Sequence, residues 1–143
     1  MRKLALIAGA GILSAGFLLS GCFGGIQKDA TYKTAADLRD AAVKSGYDCP
    51  QWSDKDTDSS FDAGACLSDR RDQLRVYPSE SAREKDLEGA ILGTQLNMAT
   101  GRVELALLVG PNWTISGPKD SVAPLKDKLG GYLPDLSEVR MPG

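Results

Sequence analysis

Carboxylates recur at alternate positions in Asp54-Lys55-Asp56-Thr57-Asp58, and Asp62 follows four residues later. A calcium loop draws ligands from this spacing, at its first, third, fifth and ninth positions. The same template needs glycine at the sixth place and a bidentate glutamate at the twelfth, where this chain has Ser59 and Ala65. Asp54, Asp56, Asp58 and Asp62 thus outline a calcium site without its closing ligand, with affinity no better than the millimolar range. The plainer expectation is a solvated acidic loop, and no resident metal or cofactor is expected. Carboxylate pairs could also hydrolyse a glycoside, with Asp54/Asp56 or Glu84/Glu88 as candidates, although glutamates four apart on a helix ordinarily form a solvated face.

Other chemistry is thinly represented. The chain has no histidine, which removes the usual general base near neutral pH and the usual catalytic triad. Ser116-Gly117-Pro118-Lys119 fits the Ser-x-x-Lys pattern of penicillin-interacting enzymes, but neither Ser-Asp-Asn nor Lys-Thr-Gly accompanies it. It reads as a connector between a strand and a helix. The chain is not expected to be an enzyme.

The three cysteines carry more information. Met1-Arg2-Lys3 is followed by no charge until Lys28, and Leu4 to Leu19 is apolar or small apart from Ser14. A charged start, an apolar run and small residues before a cut site make a secretory signal. Gly9, Gly11 and Gly16 dilute the run, which argues against a membrane-spanning helix. Leu19-Ser20-Gly21-Cys22 resembles the lipobox of bacterial lipoproteins: leucine, a small residue, glycine or alanine, then cysteine. The resemblance implies diacylglycerol on the Cys22 sulfur and cleavage between Gly21 and Cys22. Residues 1–21 would be the signal peptide, and the protein would be held by lipid on the outer face of the cell membrane.

That processing takes Arg2 and Lys3 from the 17 basic residues, leaving 15 against 19 acidic ones in 122 residues. A mildly acidic chain carries no footprint for nucleic acid, so the expected partners are the membrane, through the anchor, and an unknown envelope component. Residues 22–33 read as a lipidated N-terminus and flexible tether; the eleven residues after Cys22 reach at most about 36 Å. With Cys22 acylated, Cys49 and Cys66 remain an even pair in an oxidising compartment. A disulfide is expected there rather than two separate buried thiols.

The elements that must position these residues follow from pattern. Thr34-Ala35-Ala36-Asp37 starts a helix with Leu38, Ala41 and Ala42 on one face, ending at Gly46. Tyr47 to Trp52, Phe61 to Leu67 and Gln73 to Tyr77 read as strands. A long helix opens after Pro78, capped by Ser81 and Glu84, with Leu87, Ala90, Ile91, Thr94 and Met98 as its stripe. Gly89 and Gly93 either permit close packing there or are merely tolerated. Arg102 to Val109 and Trp113 to Ile115 form a hairpin, and Ser121 to Leu129 a last helix. Trp52 and Trp113 are expected in the core. The fold class is α+β: an antiparallel sheet of about five strands with helices on one face, in the order α-β-β-β-α-β-β-α. Residues 34–133 make one domain and 134–143 a loose tail.

Gly46, Tyr47 and Cys49, the second cysteine Cys66, Ala82-Arg83 at a helix start, and Gly110, Asn112 and Trp113 in the late hairpin also resemble small actinobacterial lipoproteins. That resemblance implies the same element order and the disulfide, and supplies no catalytic residue. The leading expectation is an anchored binding or interaction module. An inhibitor or phage-exclusion lipoprotein is the alternative, and a carboxylate-dependent hydrolase the third reading.

Overall fold

The computed structural model of the chain describes residues 26–55, 60–67, 72–101 and 104–137. Helix α1, Ala35–Lys44, begins where its cap predicts: Thr34 Oγ1 accepts the Asp37 N–H at 3.1 Å. Leu38 and Ala42 form its buried side, and the helix ends at Gly46 (φ +104°), a conformation that glycine adopts freely. Tyr47 N–H then bonds back to the Ala42 carbonyl.

Strands β1 (Ser53–Lys55), β2 (Asp62–Ala65) and β3 (Gln73–Val76) follow. The first lies later than expected. Pro50 has no N–H to offer a ladder, and the pairing starts only at Ser53, opposite Ala65. Helix α2, Glu80–Thr100, starts one turn-half earlier than the expected Ser81 box, because Ser79 is extended and accepts the Ala82 N–H. Then come β4 (Leu105–Val109) and β5 (Trp113–Pro118). The last helical segment is broken: α3, Lys119–Val122, passes through a 3-10 turn at Ala123–Leu125 into α4, Lys126–Leu129. Pro124 sits in the turn, where its missing N–H prevents a continuous α-helix.

The five strands form one antiparallel sheet in the order β1-β2-β3-β5-β4. The α+β class and the element order are as expected, but the helices lie on both faces. Leu74 pairs with Ile115 and Leu108 with Ile115, so Leu74, Val76, Ala106, Leu108, Trp113 and Ile115 share one face. They form the main core with Leu38, Ala42, Val122, Leu125 and Leu129. Leu107 and Val109 point the other way and pack with Ala90, Leu87 and Ile91 of α2. All five β4 residues are therefore buried, which requires a layer on each side.

The Cys49–Cys66 disulfide is present and joins the segment after α1 to the end of β2. Trp113 is fully buried and lies over Gly110, where any Cβ would overlap its indole. Trp52 is only half-buried, against the rim of the core, where it covers Gly64 and carries the Arg39 guanidinium 4.9 Å above its ring. Gly89 and Gly93 are in no close packing; an added Cβ would meet only Asp86 at 3.5 Å in the first case and nothing within 4 Å in the second.

The domain extends beyond the expected 34–133 at both ends. Ile26 packs on the main core. Asp29 donates its N–H to the Leu129 carbonyl at 2.9 Å, and its Oδ1 accepts the Gly131 N–H at 2.8 Å. Trp113 Nε1 donates to the Ala30 carbonyl at 2.9 Å, and Asn112 exchanges hydrogen bonds with both backbone groups of Tyr32. Residues 26–33, expected as tether, thus belong to the fold, while 22–25 lie outside the described residues. At the other end Tyr132 and Val109 exchange two backbone bonds. Leu136 packs beside α2, and its carbonyl accepts from Gln95 Nε2; residues 138–143 lie outside the described residues.

Closing a 17-residue separation by the disulfide contributes on the order of 3 kcal/mol. The Cys49→Ser/Cys66→Ser variant should lose about that much in urea unfolding, and reductant should destabilise the native chain equally without affecting the variant. In α2, Gly89→Ala should stabilise by roughly 0.5–1 kcal/mol in the same assay.

Candidate functional site

Between α2 and the second face of the sheet lies a cleft of about 380 Å³. Its floor is built by alternation: Gln73 and Arg75 of β3, Thr114 and Ser116 of β5 and Leu107 of β4 all project to this side. Its roof is the second half of α2, with Ala90, Gly93, Thr94, Leu96 and Asn97. The stripe read from sequence brings Ala90 and Thr94 here, whereas Met98 lines a separate groove beside the edge of β4. No sequence signal singled out the floor, because Gln, Arg, Thr and Ser at alternate strand positions look like an ordinary solvated face.

The polar groups of the cleft largely answer one another. Arg75 Nη1 donates to Asp86 Oδ2 and its Nη2 to Gln73 Oε1, both at 2.8 Å. The guanidinium also lies 4.9 Å from the Phe61 ring centroid. Tyr77 donates its hydroxyl to the same Asp86 oxygen at 2.5 Å. Burial first, and then this bond to Asp86, raise the Tyr77 phenol above the ordinary tyrosine range. Thr94 Oγ1 donates to the Ala90 carbonyl at 2.8 Å. Its single proton is thereby used, so the 3.2 Å contact between Thr94 and Ser116 has Ser116 as donor.

At the end of the cleft stands Asp72, 1% exposed. The stretch around it reads in sequence as a turn, and nothing marks it as a buried charge. Its carboxylate accepts the Tyr47 hydroxyl at 2.7 Å, the Cys66 N–H at 3.0 Å and the Leu67 N–H at 2.9 Å. These three donors satisfy a charge that burial would otherwise make costly. Burial, then the bond to Asp72, push the Tyr47 phenol far above its ordinary value.

The acidic stretch is dispersed. Asp62 Oδ2 accepts the Ala35 N–H at 2.7 Å, adding a negative charge to the start of α1. Asp54 Oδ1 accepts Trp52 Nε1 at 2.8 Å. Asp56 and Asp58 lie outside the described residues, as does the proposed lipidation position Cys22 with Gly21. Among the described residues no three His, Cys, Asp or Glu side chains come together as a metal group. Glu84 is exposed and pairs with Arg83 at 3.2 Å, and Glu88 is exposed on the same helix. Ser116 and Lys119 do not pair: Lys119 Nζ donates to Glu104 at 2.8 Å while Ser116 faces Thr94.

The cleft is thus lined by hydroxyls, the amides of Gln73 and Asn97, and one guanidinium whose charge is balanced by Asp86. Such a surface holds a polar group by hydrogen bonds. No family model, curated protein or solved structure matches the chain.

Asp72→Ala leaves two buried N–H groups and a phenol without their acceptor and should destabilise the domain by on the order of 3 kcal/mol in denaturant unfolding. Tyr47→Phe should cost about 1 kcal/mol, since Asp72 keeps its two backbone donors. The raised Tyr47 and Tyr77 phenols also set the alkaline limit. The unfolded chain loses phenolic protons near the ordinary tyrosine value of about 10 while the folded one keeps them. Their contribution is therefore complete below about pH 10 and is lost as pH rises past it. Ultraviolet titration of the tyrosinates should show both ionising together with unfolding, and Tyr47→Phe should weaken that dependence.

Proposed function

We propose that this chain is a lipid-anchored, extracytoplasmic binding module, attached through diacylglycerol on Cys22 and recognising a polar envelope component in the cleft beneath α2. The anchor reading rests on Leu19-Ser20-Gly21-Cys22 after an apolar run. The Cys49–Cys66 disulfide supports it, because such bonds persist in oxidising compartments. Among the described residues no helix is long and apolar enough to cross a membrane.

One observation carries the binding role: a cleft between a helix and a sheet, large enough for a small polar ligand, with the Thr114 and Ser116 hydroxyls and the Arg75 guanidinium on its strands. Its groups are arranged for recognition rather than proton transfer. Asp72 is committed to three donors and Asp86 to Arg75 and Tyr77, and among the described residues of the cleft no side chains are paired as nucleophile and base.

Two measurements test the reading. The intact mass of protein purified from bacterial membranes should show a chain beginning at acylated Cys22, and Cys22→Ala should abolish acylation. Gly93 lines the cleft and an added Cβ there meets nothing within 4 Å, so Gly93→Leu adds bulk to the cleft, with an unreduced melting temperature as the check that the fold is kept. Species cross-linked to the wild-type protein in intact cells should be lost with Gly93→Leu; undiminished cross-linking would remove the cleft from the binding surface.

A further inference from the structure

We infer that the bilayer headgroup surface covers one end of the sheet, the end that carries the β4–β5 hairpin, and that the Gln73 and Ser116 end of the cleft consequently lies away from the membrane. The inference rests on the Cys22 anchor proposed above and adds an orientation to it.

The docked N-terminal segment is what carries it. Asp29 is bonded to Leu129 and Gly131, Ala30 to the Trp113 indole, and Tyr32 to Asn112. All these contacts lie where β5 begins, the end at which Val76 pairs with Trp113. Ile26 is packed on the core, so only Phe23, Gly24 and Gly25 separate it from Cys22. Four steps of chain span at most about 14 Å, whatever path they take. An acylated sulfur at the headgroup level therefore holds this end of the sheet at the bilayer surface. A tether long enough to let the domain turn over is not there.

The opposite end is correspondingly remote. There Gln73 pairs with Ser116 and Leu105 with Pro118, a strand length of roughly 15 Å away. Helix α1 runs in the same sense, from Ala35 beside Asp62 to Lys44 near Tyr47 and the Asp72 carboxylate. The disulfide lies at this far end, since Cys66 bonds to Asp72. So does the Gln73, Ser116 and Asn97 side of the cleft.

Lysine footprinting separates orientation from anchoring. The full chain, processed in bacteria and reconstituted in vesicles of phosphatidylethanolamine and phosphatidylglycerol, is treated with an amine-acylating reagent. It is compared, in the same vesicles, with a variant carrying a Gly-Ser insert of roughly 20 residues between Gly24 and Gly25, whose reach is about 25 Å. Exposed Lys28, Lys33 and Lys128 flank the docked segment and its contacts, whereas exposed Lys44 and Lys119 lie at the far end. Lys28, Lys33 and Lys128 should react severalfold more slowly in the native chain than in the extended one, with Lys44 and Lys119 unchanged. Equal rates at all five lysines, with Cys22 acylated in both proteins by mass, would overturn the orientation and leave the anchor standing. Unacylated Cys22 would overturn both.

Discussion

A buried carboxylate holds this fold together at one end. Asp72 has almost no contact with solvent, yet it stands where three chain segments meet: the residues after α1, the end of β2 and the start of β3. An unpaired charge there would cost several kcal/mol. The two backbone N–H groups and the Tyr47 hydroxyl offset that cost only in one arrangement, so the carboxylate dictates how the three segments meet. The disulfide then joins two of the same segments covalently. Covalent and hydrogen-bonded constraints therefore coincide at the far end of the sheet.

The sheet itself is built to be buried twice on one side and once on the other. Its β4 edge lies between α2 and the α3–α4 segment, whereas β1 is a three-residue strand of polar side chains at the opposite edge. Polar residues on β3 and β5 leave a gap under α2 where apolar ones would have closed it, and that gap is the cleft. The same helix meets Leu107 and Val109 through apolar side chains and Ser116 through the Thr94 hydroxyl. One helix thus supplies both apolar packing and part of the cleft lining, and Ala90 takes part in both.

How much of this was legible depended on whether side chains or backbone did the work. Helix α1 and the stripe on α2 were readable because their burial is periodic, and the β4–β5 hairpin because Gly110-Pro111-Asn112 interrupts an apolar run. The polar strand β1 was not, since it is held by backbone pairing with β2 and Ser53-Asp54-Lys55 reads as loop. Docking of residues 26–33 was hidden for the same reason: Trp113 and Asn112 bond to main-chain atoms of Ala30 and Tyr32. The unbroken run Leu105 to Val109 did carry the sign of two-sided burial, though a hairpin strand is ordinarily expected to alternate. Of the cleft, only Ala90 and Thr94 were anticipated, as core. Asp72 and Asp62 show the limit most clearly, because an aspartate that caps a helix or accepts buried N–H groups has the same letter as one in a solvated loop.

The pairing of Tyr132 with Val109 reaches past this chain to its neighbours. Strand β4 is an outer strand, and an outer strand invites another chain to extend the ladder. Val109 has both outward backbone groups already engaged by Tyr132, and two residues on stands Pro134, which has no amide proton to lend. Strand addition at Val109 is therefore blocked by the chain's own residues 132–134.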